Sequence, residues 1–274
     1  MAKLEPFRGD YYLWEYVPSM AASIIFLLLF FAATAFHCWK AWKAKARFCI
    51  PFCIGGLFQV IGYGARADCT NNTGELIPYI IQSVFILLAP VLYAASIYMF
   101  LARLMLNVGA EKYSLIRIKW LTKTFVTGDV VSFLVQGSGA GMMAQDGMAD
   151  TAKGIVIGGL MIQIVVFGFF IVTSIVFELR MRRAPTSSEG SWQSHLYPLY
   201  TVSALIMVRS IFRVIEYAMG QKGYLLSHEW PLYVFDSVLM LGVMVVWGWW
   251  HPGTIRQEAS AAQLLSMGSS QSKA

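Results

Sequence analysis

Charged residues are scarce in this 274-residue chain, and apolar residues are abundant. Asp, Glu, Lys and Arg make up 13% of the residues, whereas apolar residues make up 57% and the mean hydropathy is +0.59. Soluble domains usually carry about 25% charged residues. The composition therefore excludes an ordinary soluble domain and indicates a bundle of membrane helices.

Motifs for nucleotide, metal and cofactor chemistry are also lacking. The chain has no Gly-x-x-x-x-Gly-Lys-Ser/Thr loop, so we do not expect ATP bound to this chain to drive transport. No His, Glu and Cys cluster has zinc-ligand spacing, and no Gly-x-Ser-x-Gly nucleophile motif is present. His37, His195, His228 and His251 lie near predicted helix ends or in loops, which leaves no facing pair for a membrane haem. We expect no cofactor, no metal and no enzyme activity.

Long apolar runs occupy most of the chain instead. A helix needs about 20 mostly apolar residues to span the hydrocarbon core of a bilayer. Seven runs qualify, at residues 17–38, 48–65, 78–104, 120–144, 154–178, 196–219 and 231–250. The sequence therefore predicts an all-α polytopic membrane protein with seven transmembrane helices.

The connections between these runs differ in positive charge. The basic residues of one set of alternate connections are Lys40, Lys43, Lys45, Arg47, Arg103, Lys112, Arg117, Lys119, Arg180, Arg182, Arg183, Arg256 and Lys273, and those of the other set are Lys3, Arg8, Arg66, Lys153 and Lys222. Because basic loops resist translocation, the richer side is expected to face the cytoplasm, with the N-terminus outside and the C-terminus inside. We therefore divide the chain into an extracellular segment 1–16, a transmembrane domain 17–253 and a cytoplasmic polar tail 254–274.

This topology has two further consequences. It explains the net charge of +6 without nucleic acid as a partner, because the charge follows the cytoplasmic side. It also places the only Asn-x-Ser/Thr sequon, which begins at Asn71, on the outside, where glycosylation of Asn71 is possible.

Polar side chains inside the predicted helices are the candidate functional residues, because polar groups are costly in a bilayer. Arg209, Arg213 and Glu216 are spaced by four and three, so they share one face of the sixth helix, and Asp236 lies at a similar depth on the seventh. The remaining candidates are Tyr63, Arg66, Gln82, Asp129, Gln136 and Gln163. Two interpretations stay open: a network that only locks helices together, or a ligand cavity in the outer half that opens outward.

Small residues suggest where helices approach each other. Gly137 with Gly141, and Gly154 with Gly158, have the small-xxx-small spacing that is typical of close helix packing in membranes. We therefore expect these two pairs at helix–helix contacts.

Several stretches, in the same order along the chain, resemble one known family. They are Gly62 to Arg66; Ala89 to Met99; Gly128 to Phe133 with Gln136 and Gly139; Gly158 to Leu160 with Gln163; Arg209 to Arg213 with Glu216 and Gly220; and Glu229, Tyr233 to Asp236 and His251 to Gly253. Over about residues 10 to 255 the chain resembles the fungal lipid-translocating exporters, also called RTA-like or "resistance to aminocholesterol" proteins. One mild departure is Ala102 before Arg103, where members often have glycine.

The resemblance implies a seven-helix protein of the fungal plasma membrane, with endosomal or vacuolar membranes as alternatives. Members of the family are associated with release of sphingoid long-chain bases, with drug resistance to toxic lipophilic compounds and related stress responses, and with phospholipid asymmetry. The implied partners are lipids or amphiphilic small molecules, and a homo-oligomer is compatible with the resemblance.

Three hypotheses about function follow. In the first, a lipid or amphiphile translocator, Glu216, Asp236 and Asp129 receive a cationic amine while the three interior arginines balance these acids. The second is a receptor-like sensor, although Arg103 has no acid before it and the last helix has no Asn-Pro-x-x-Tyr stretch, as G-protein-coupled receptors have. The third is a lipid-modifying membrane enzyme, for which no nucleophile or metal site is identifiable.

Overall fold

The structure, a computed structural model, describes residues 14, 16–142, 148–183, 191–220 and 223–250. This part of the chain forms seven long helices and no strand, which confirms the all-α class. The helices are α1 Met20–Lys43, α2 Ile50–Asp68, α3 Leu76–Asn107, α4 Ile118–Met142, α5 Ala149–Arg182, α6 Ser191–Met219 and α7 Trp230–Trp249. The predicted tail 254–274, and the predicted segment 1–16 apart from Trp14 and Tyr16, lie outside the described residues.

Six of these helices, α1 to α3 and α5 to α7, are long and apolar enough to cross a membrane. Helix α4 is long enough with 25 residues, but Lys119, Lys123 and Asp129 interrupt its apolar sequence. The chain is therefore a helical integral membrane protein, and the seventh crossing stays a prediction.

The helices run back and forth between two ends of the bundle. We call the end that holds residues 16–19, the α2–α3 turn and residues 223–229 the upper end, and the opposite end the lower end.

Gly109 after α3 and Gly220 after α6 have φ values of 65° and 76°, a left-handed conformation that glycine adopts without strain and that ends a helix.

Glycines allow close contact between particular helices. A Cβ atom on Gly56 would lie 2.4 Å from Thr34 Oγ1 of α1, and one on Gly55 would lie 2.9 Å from the carbonyl oxygen of Ala89 on α3. The glycines that interrupt the second apolar run therefore let α2 fit between its two neighbours.

The contact between α4 and α5 uses glycines other than the predicted pairs. A Cβ on Gly139 would lie 2.9 Å from the carbonyl oxygen of Ala152, and one on Gly159 would lie 2.7 Å from Gln136 Cγ. In contrast, a Cβ on any of the predicted glycines, Gly137, Gly141, Gly154 and Gly158, would meet nothing within 4 Å. The small-xxx-small prediction is wrong for these pairs, because the spacing marks a helix face without specifying whether another helix covers it.

The lower half of the bundle is packed with aromatic side chains. The Phe52 ring lies 4.5 Å from that of Tyr93 and 5.7 Å from that of Trp247, and Trp247 meets Phe100 edge-on at 5.3 Å. All of these residues are buried. Lys40 Nζ donates to the carbonyl oxygen of Gly248 at 2.7 Å, so α1 satisfies a terminal carbonyl of α7. This half is a dense apolar core.

Helix α7 contains one π-helical turn, Tyr233–Val238, between its first residues and Leu239–Trp249. Such turns place one extra residue in the helical ladder and are frequent at functional sites. Here the turn carries Asp236 and Ser237, both buried and both directed to the interior of the bundle.

Adjacent glycines on α5 provide a test of this packing. Ala in place of Gly usually stabilises a helix by about 0.5–1 kcal/mol, whereas overpacking costs about 1–3 kcal/mol. We expect Gly159→Ala to lower the thermal unfolding temperature in detergent, because its methyl group has no room beside Gln136. The matched variant Gly158→Ala, whose methyl group enters open space, should leave that temperature unchanged or raise it. Equal effects of the two substitutions would contradict the observed α4–α5 contact.

Candidate functional site

Arg66 is the best-connected charged residue near the upper end. Its side chain is fully buried, and its Nη2 donates to Glu229 Oε1 at 2.8 Å and to the Tyr16 hydroxyl at 3.1 Å. Its Nη1 donates to Gln82 Oε1 at 3.2 Å, and its Nε donates to the Tyr233 hydroxyl at 3.2 Å. One guanidinium from α2 therefore joins α3, α7 and the segment before α1.

Glu229 and the residues before α1 complete this cluster. The Glu229 carboxylate accepts from the backbone N–H of Ser19, with its two oxygens at 2.9 and 3.0 Å, and from the Tyr233 hydroxyl at 2.9 Å. Trp14 is buried, with its ring 5.3 Å from the Arg66 guanidinium and edge-on to Tyr79 at 5.3 Å. These contacts hold the start of α1 against the starts of α3 and α7.

A second charged chain links α6 to α7. Arg209 Nε donates to Asp236 Oδ1, and Arg213 Nη2 donates to Asp236 Oδ2 at 3.2 Å. Arg213 Nη1 donates to Glu216 Oε2 at 2.8 Å, and Arg209 Nη2 donates to the carbonyl oxygen of Ile86 at 3.3 Å. Arg209, Arg213 and Glu216 thus share one face of α6, as their spacing predicts. Asp236 of α7 lies between the two arginines.

A cavity of about 210 Å³ lies between these two charged groups. Residues of all the helices from α2 to α7 bound it, together with the residues before α1 and those before α7. Of the ten predicted site residues, the cavity is lined by Arg66, Gln82, Gln136, Arg213 and Glu216. Apolar residues make up much of the remaining wall, including Ile86, Leu87, Phe133, Val156 and Leu226. The cavity is therefore amphipathic.

The two acids near the cavity differ in their remaining capacity to accept hydrogen bonds. Both oxygens of Asp236 accept from arginines. Glu216 accepts from Arg213 through Oε2, and no described residue donates to its Oε1. Since an ionised carboxylate has about four acceptor positions, Glu216 retains the capacity to bind a donor from the cavity.

The remaining predicted residues are buried but do not line this cavity. Tyr63 and Ser237 share a hydrogen bond between their hydroxyl groups. Gln163 Oε1 accepts from Gln136 Nε2 at 3.1 Å, which joins α5 to a cavity residue. Arg209 and Asp236 stand behind the cavity wall, where they hold Arg213 in place.

Asp129 lies in a separate place. Its Oδ2 accepts from the Tyr98 hydroxyl at 2.9 Å, and the Tyr98 ring contacts Phe125 at 5.3 Å and Phe170 at 4.6 Å. The structure therefore puts Asp129 in an aromatic environment away from the cavity.

Sequence reasoning missed Trp14, Tyr16, Glu229 and Tyr233 as site residues. Glu229 and the two N-terminal aromatics fall outside the predicted spans, so a search for polar groups in the membrane does not find them. The four-residue spacing of Glu229 and Tyr233, which places both on one helical face toward Arg66, was the available signal.

Two other features bear on the sequence predictions. Asn71 is exposed in the turn between α2 and α3, and its glycosylation stays a prediction. Among the described residues, no group of three or more His, Cys, Asp or Glu side chains could hold a metal ion.

The fold and site define a class: a helical integral membrane protein with a charged, amphipathic cavity in one half of its bundle. A sequence model described as "RTA1 like protein" matches residues 52–259. The chain belongs to the RTA1-like family, the family that its motifs resemble. No solved structure matches the chain.

Relatives in Saccharomyces cerevisiae include proteins with different names. The chain is 33% identical to protoporphyrin uptake protein 1, over 86% of this chain and 91% of that protein. It is 35% identical to protein RTA1, over 87% and 84% respectively. It is 24% identical to the sphingoid long-chain base transporter RSB1, over 86% of this chain and 72% of that protein.

The pairing of Arg66 with Glu229 yields a stability prediction. Removing one partner of a buried ion pair costs about 3–5 kcal/mol, whereas replacing both partners with apolar residues is often nearly neutral. We expect Glu229→Leu to lower the unfolding temperature in detergent strongly, and Arg66→Leu combined with Glu229→Leu to recover most of the loss.

The half-exposed Arg182, which pairs with Glu178 at 2.5 Å at the lower end, is the control. Arg182→Ala should cost about 1 kcal/mol or less. A double variant as unstable as Glu229→Leu alone would show that the ion pair is not the reason for the loss.

Proposed function

We propose that the protein moves long-chain amphiphiles with a cationic amine head group across the membrane, and that Glu216 binds the amine. The observation that carries the proposal is the unshared oxygen of Glu216 in the cavity wall. Arg213 holds the other oxygen at 2.8 Å, which orients the carboxylate so that its free oxygen can accept from an ammonium group.

The rest of the cavity suits such a head group. A sphingoid base carries hydroxyl groups beside its amine, and Gln82, Gln136 and Ser83 line the cavity with amide and hydroxyl groups. Sphingoid long-chain base transporter RSB1 is a relative whose name gives this substrate, although at 24% identity. The proposed process is transport and not catalysis, and resistance to toxic lipophilic compounds would follow from removal of such compounds.

A second candidate substrate is a porphyrin. Arg66 and Arg213 both line the cavity, and guanidinium groups bind carboxylates well. Protoporphyrin uptake protein 1 is the relative that supports this candidate. However, 210 Å³ is below the roughly 300–1,000 Å³ of pockets that enclose drug-sized ligands, so a porphyrin would need a wider cavity than this one.

We also propose the full topology: seven crossings, including α4, with the upper end outside the cytoplasm. Helices α3 and α5 lie on either side of α4 in the sequence and cross in the same direction, which requires α4 to return the chain. The basic residues of the lower connections support a cytoplasmic lower end. The cavity then lies in the outer half of the membrane, and the plasma membrane is the proposed location.

The proposed role of Glu216 can be tested by lipid flux. In vesicles that contain the purified protein, we expect Glu216→Gln to reduce the initial rate of labelled sphingoid base movement by about tenfold or more, since loss of a charged hydrogen bond costs about 1.5–3 kcal/mol. Asp129→Asn, which changes the acid away from the cavity, should keep most of the wild-type rate.

Several outcomes separate the hypotheses. Equal rates for Glu216→Gln and wild type would contradict the proposed role of Glu216. Movement of protoporphyrin but not of sphingoid base would favour the second candidate. Binding of sphingoid base without any flux would favour a sensor.

The topology can be tested by thiol labelling in a variant without native cysteines. Asn71→Cys in the α2–α3 turn should react with a membrane-impermeant maleimide on intact cells. Lys112→Cys in the α3–α4 connection should react only after permeabilisation. The reverse pattern would show that the orientation is inverted.

A further inference from the structure

The wall of the cavity between α3 and α4 contains exposed residues. Ser83 and Val84 of α3 and Gly137 and Ala140 of α4 all line the cavity, and all four are exposed. Residues in a sealed wall would be buried. The cavity is therefore continuous with the side of the bundle through an opening bounded by these four residues, which we call the side slot.

The side slot opens onto the lipid-facing surface. On α3, Ile77, Ile80 and Val84 are 71%, 46% and 37% exposed at helical spacing. On α4, Val130 and Leu134 are 46% and 62% exposed. They lie on one face of the helix, and Gly137 follows on that face one turn further. In a membrane bundle such apolar stripes face hydrocarbon, so both edges of the slot are in contact with lipid chains.

The slot is maintained by the way α4 is anchored. Gly139 and Gly159 hold α4 closely against α5. On the slot side, Gly137 leaves open space in which a Cβ would meet nothing within 4 Å. The close α4–α5 contact therefore fixes the position of the upper part of α4 beside this open space.

The depth of the slot indicates what can occupy it. At about 1.5 Å per residue, Val84 lies roughly 12 Å along α3 from its upper end, and Gly137 lies roughly 8 Å along α4 from its upper end. Hydrocarbon surrounds the bundle over about 30 Å. A slot at this depth meets lipid chains in the upper part of the hydrocarbon region, close to the head groups.

The volume of the cavity limits how much of a ligand can enter it. A cavity of about 210 Å³ accommodates a small polar head group but not a long chain as well. A bound long-chain amphiphile must therefore keep its chain elsewhere, and Ile86, Leu87 and Phe133 give the cavity an apolar wall against which the start of that chain can pack.

We propose that the side slot is a binding site for the hydrocarbon chain of a lipid whose head group occupies the cavity. The proposal rests on the proposed function for the nature of the head group. The lipid reaches the cavity sideways from the upper half of the bilayer, and its chain remains between α3 and α4 while the amine contacts Glu216.

The test uses a sphingoid base that carries a diazirine in the middle of its chain and a terminal alkyne. After irradiation in vesicles with the full-length protein, the labelled peptides are identified by mass spectrometry. We expect the chain to label α3 around Val84 and α4 around residues 133–140.

Tryptophan variants determine whether the label comes from the slot. Gly137→Trp combined with Ala140→Trp should reduce labelling of these two helices to roughly a tenth or less, because the indoles fill the space that the chain needs. The matched control combines Gly154→Trp with Gly158→Trp on α5, at two glycines that also face open space and lie outside the cavity wall. This control should label like wild type. A milder Gly137→Leu variant, for which a partial loss is expected, is used if the double variant does not fold.

Flux of the same probe, measured in the same vesicles, separates this proposal from the proposed function. Slot labelling that the indoles block, without flux in the wild-type protein, would support the slot and overturn transport. The opposite result is flux with labelling that spreads evenly over lipid-facing residues and does not change in the tryptophan variant. This result would contradict the proposed chain-binding site and would still support transport.

Discussion

A guanidinium group inside a lipid bilayer must be surrounded by acceptors, because an unpaired charge at that depth is strongly unfavourable. Arg66, Arg209 and Arg213 meet this requirement with acceptors drawn from other parts of the chain. Arg66 binds Glu229 and Gln82, whereas the two arginines of α6 share Asp236 of α7. The relative positions of α2, α3, α6 and α7 near the upper end depend on these pairings, and the cavity is the space that they leave between them.

The two halves of the bundle consequently differ in character. Aromatic rings fill the lower half, and the buried His37 beside Phe52 is hydrogen-bonded to the carbonyl oxygen of Met244, so this half is densely packed. The upper half is held by charge pairs, of which Arg66, Arg213 and Glu216 line the cavity. The polar cavity therefore lies toward the upper end of the bundle and the aromatic core toward the lower end.

Much of this arrangement could be predicted from the sequence. The long apolar runs identified the helical class, and the spacing of Arg209, Arg213 and Glu216 identified their common face. The similar depth of Asp236 on the seventh helix also predicted that it would lie near Arg213 and Glu216. The sequence could not show that Asp129 pairs with Tyr98 away from the cavity, because depth alone does not specify which neighbour a helix face meets.

The glycines of α4 and α5 and the position of Glu229 also could not be predicted from local sequence pattern. Gly139 and Gly159 make the close α4–α5 contact although they do not form a spaced pair, whereas the spaced pairs face open space. Glu229 binds Arg66 from a segment that hydropathy places outside the membrane. Both outcomes depend on contacts between distant segments, which a reading of local pattern does not contain.

The π-helical turn at Tyr233–Val238 determines how strictly the length of α7 is constrained. Removing one residue from this turn would convert it to an ordinary α-helical turn and change the rotation between the two ends of α7 by about 100°. Tyr233 and Glu229 would then no longer face Arg66 while Asp236 faces Arg209. The extra residue therefore sets the rotation of α7 so that Glu229, directly before the helix, meets Arg66 while Asp236 meets both Arg209 and Arg213.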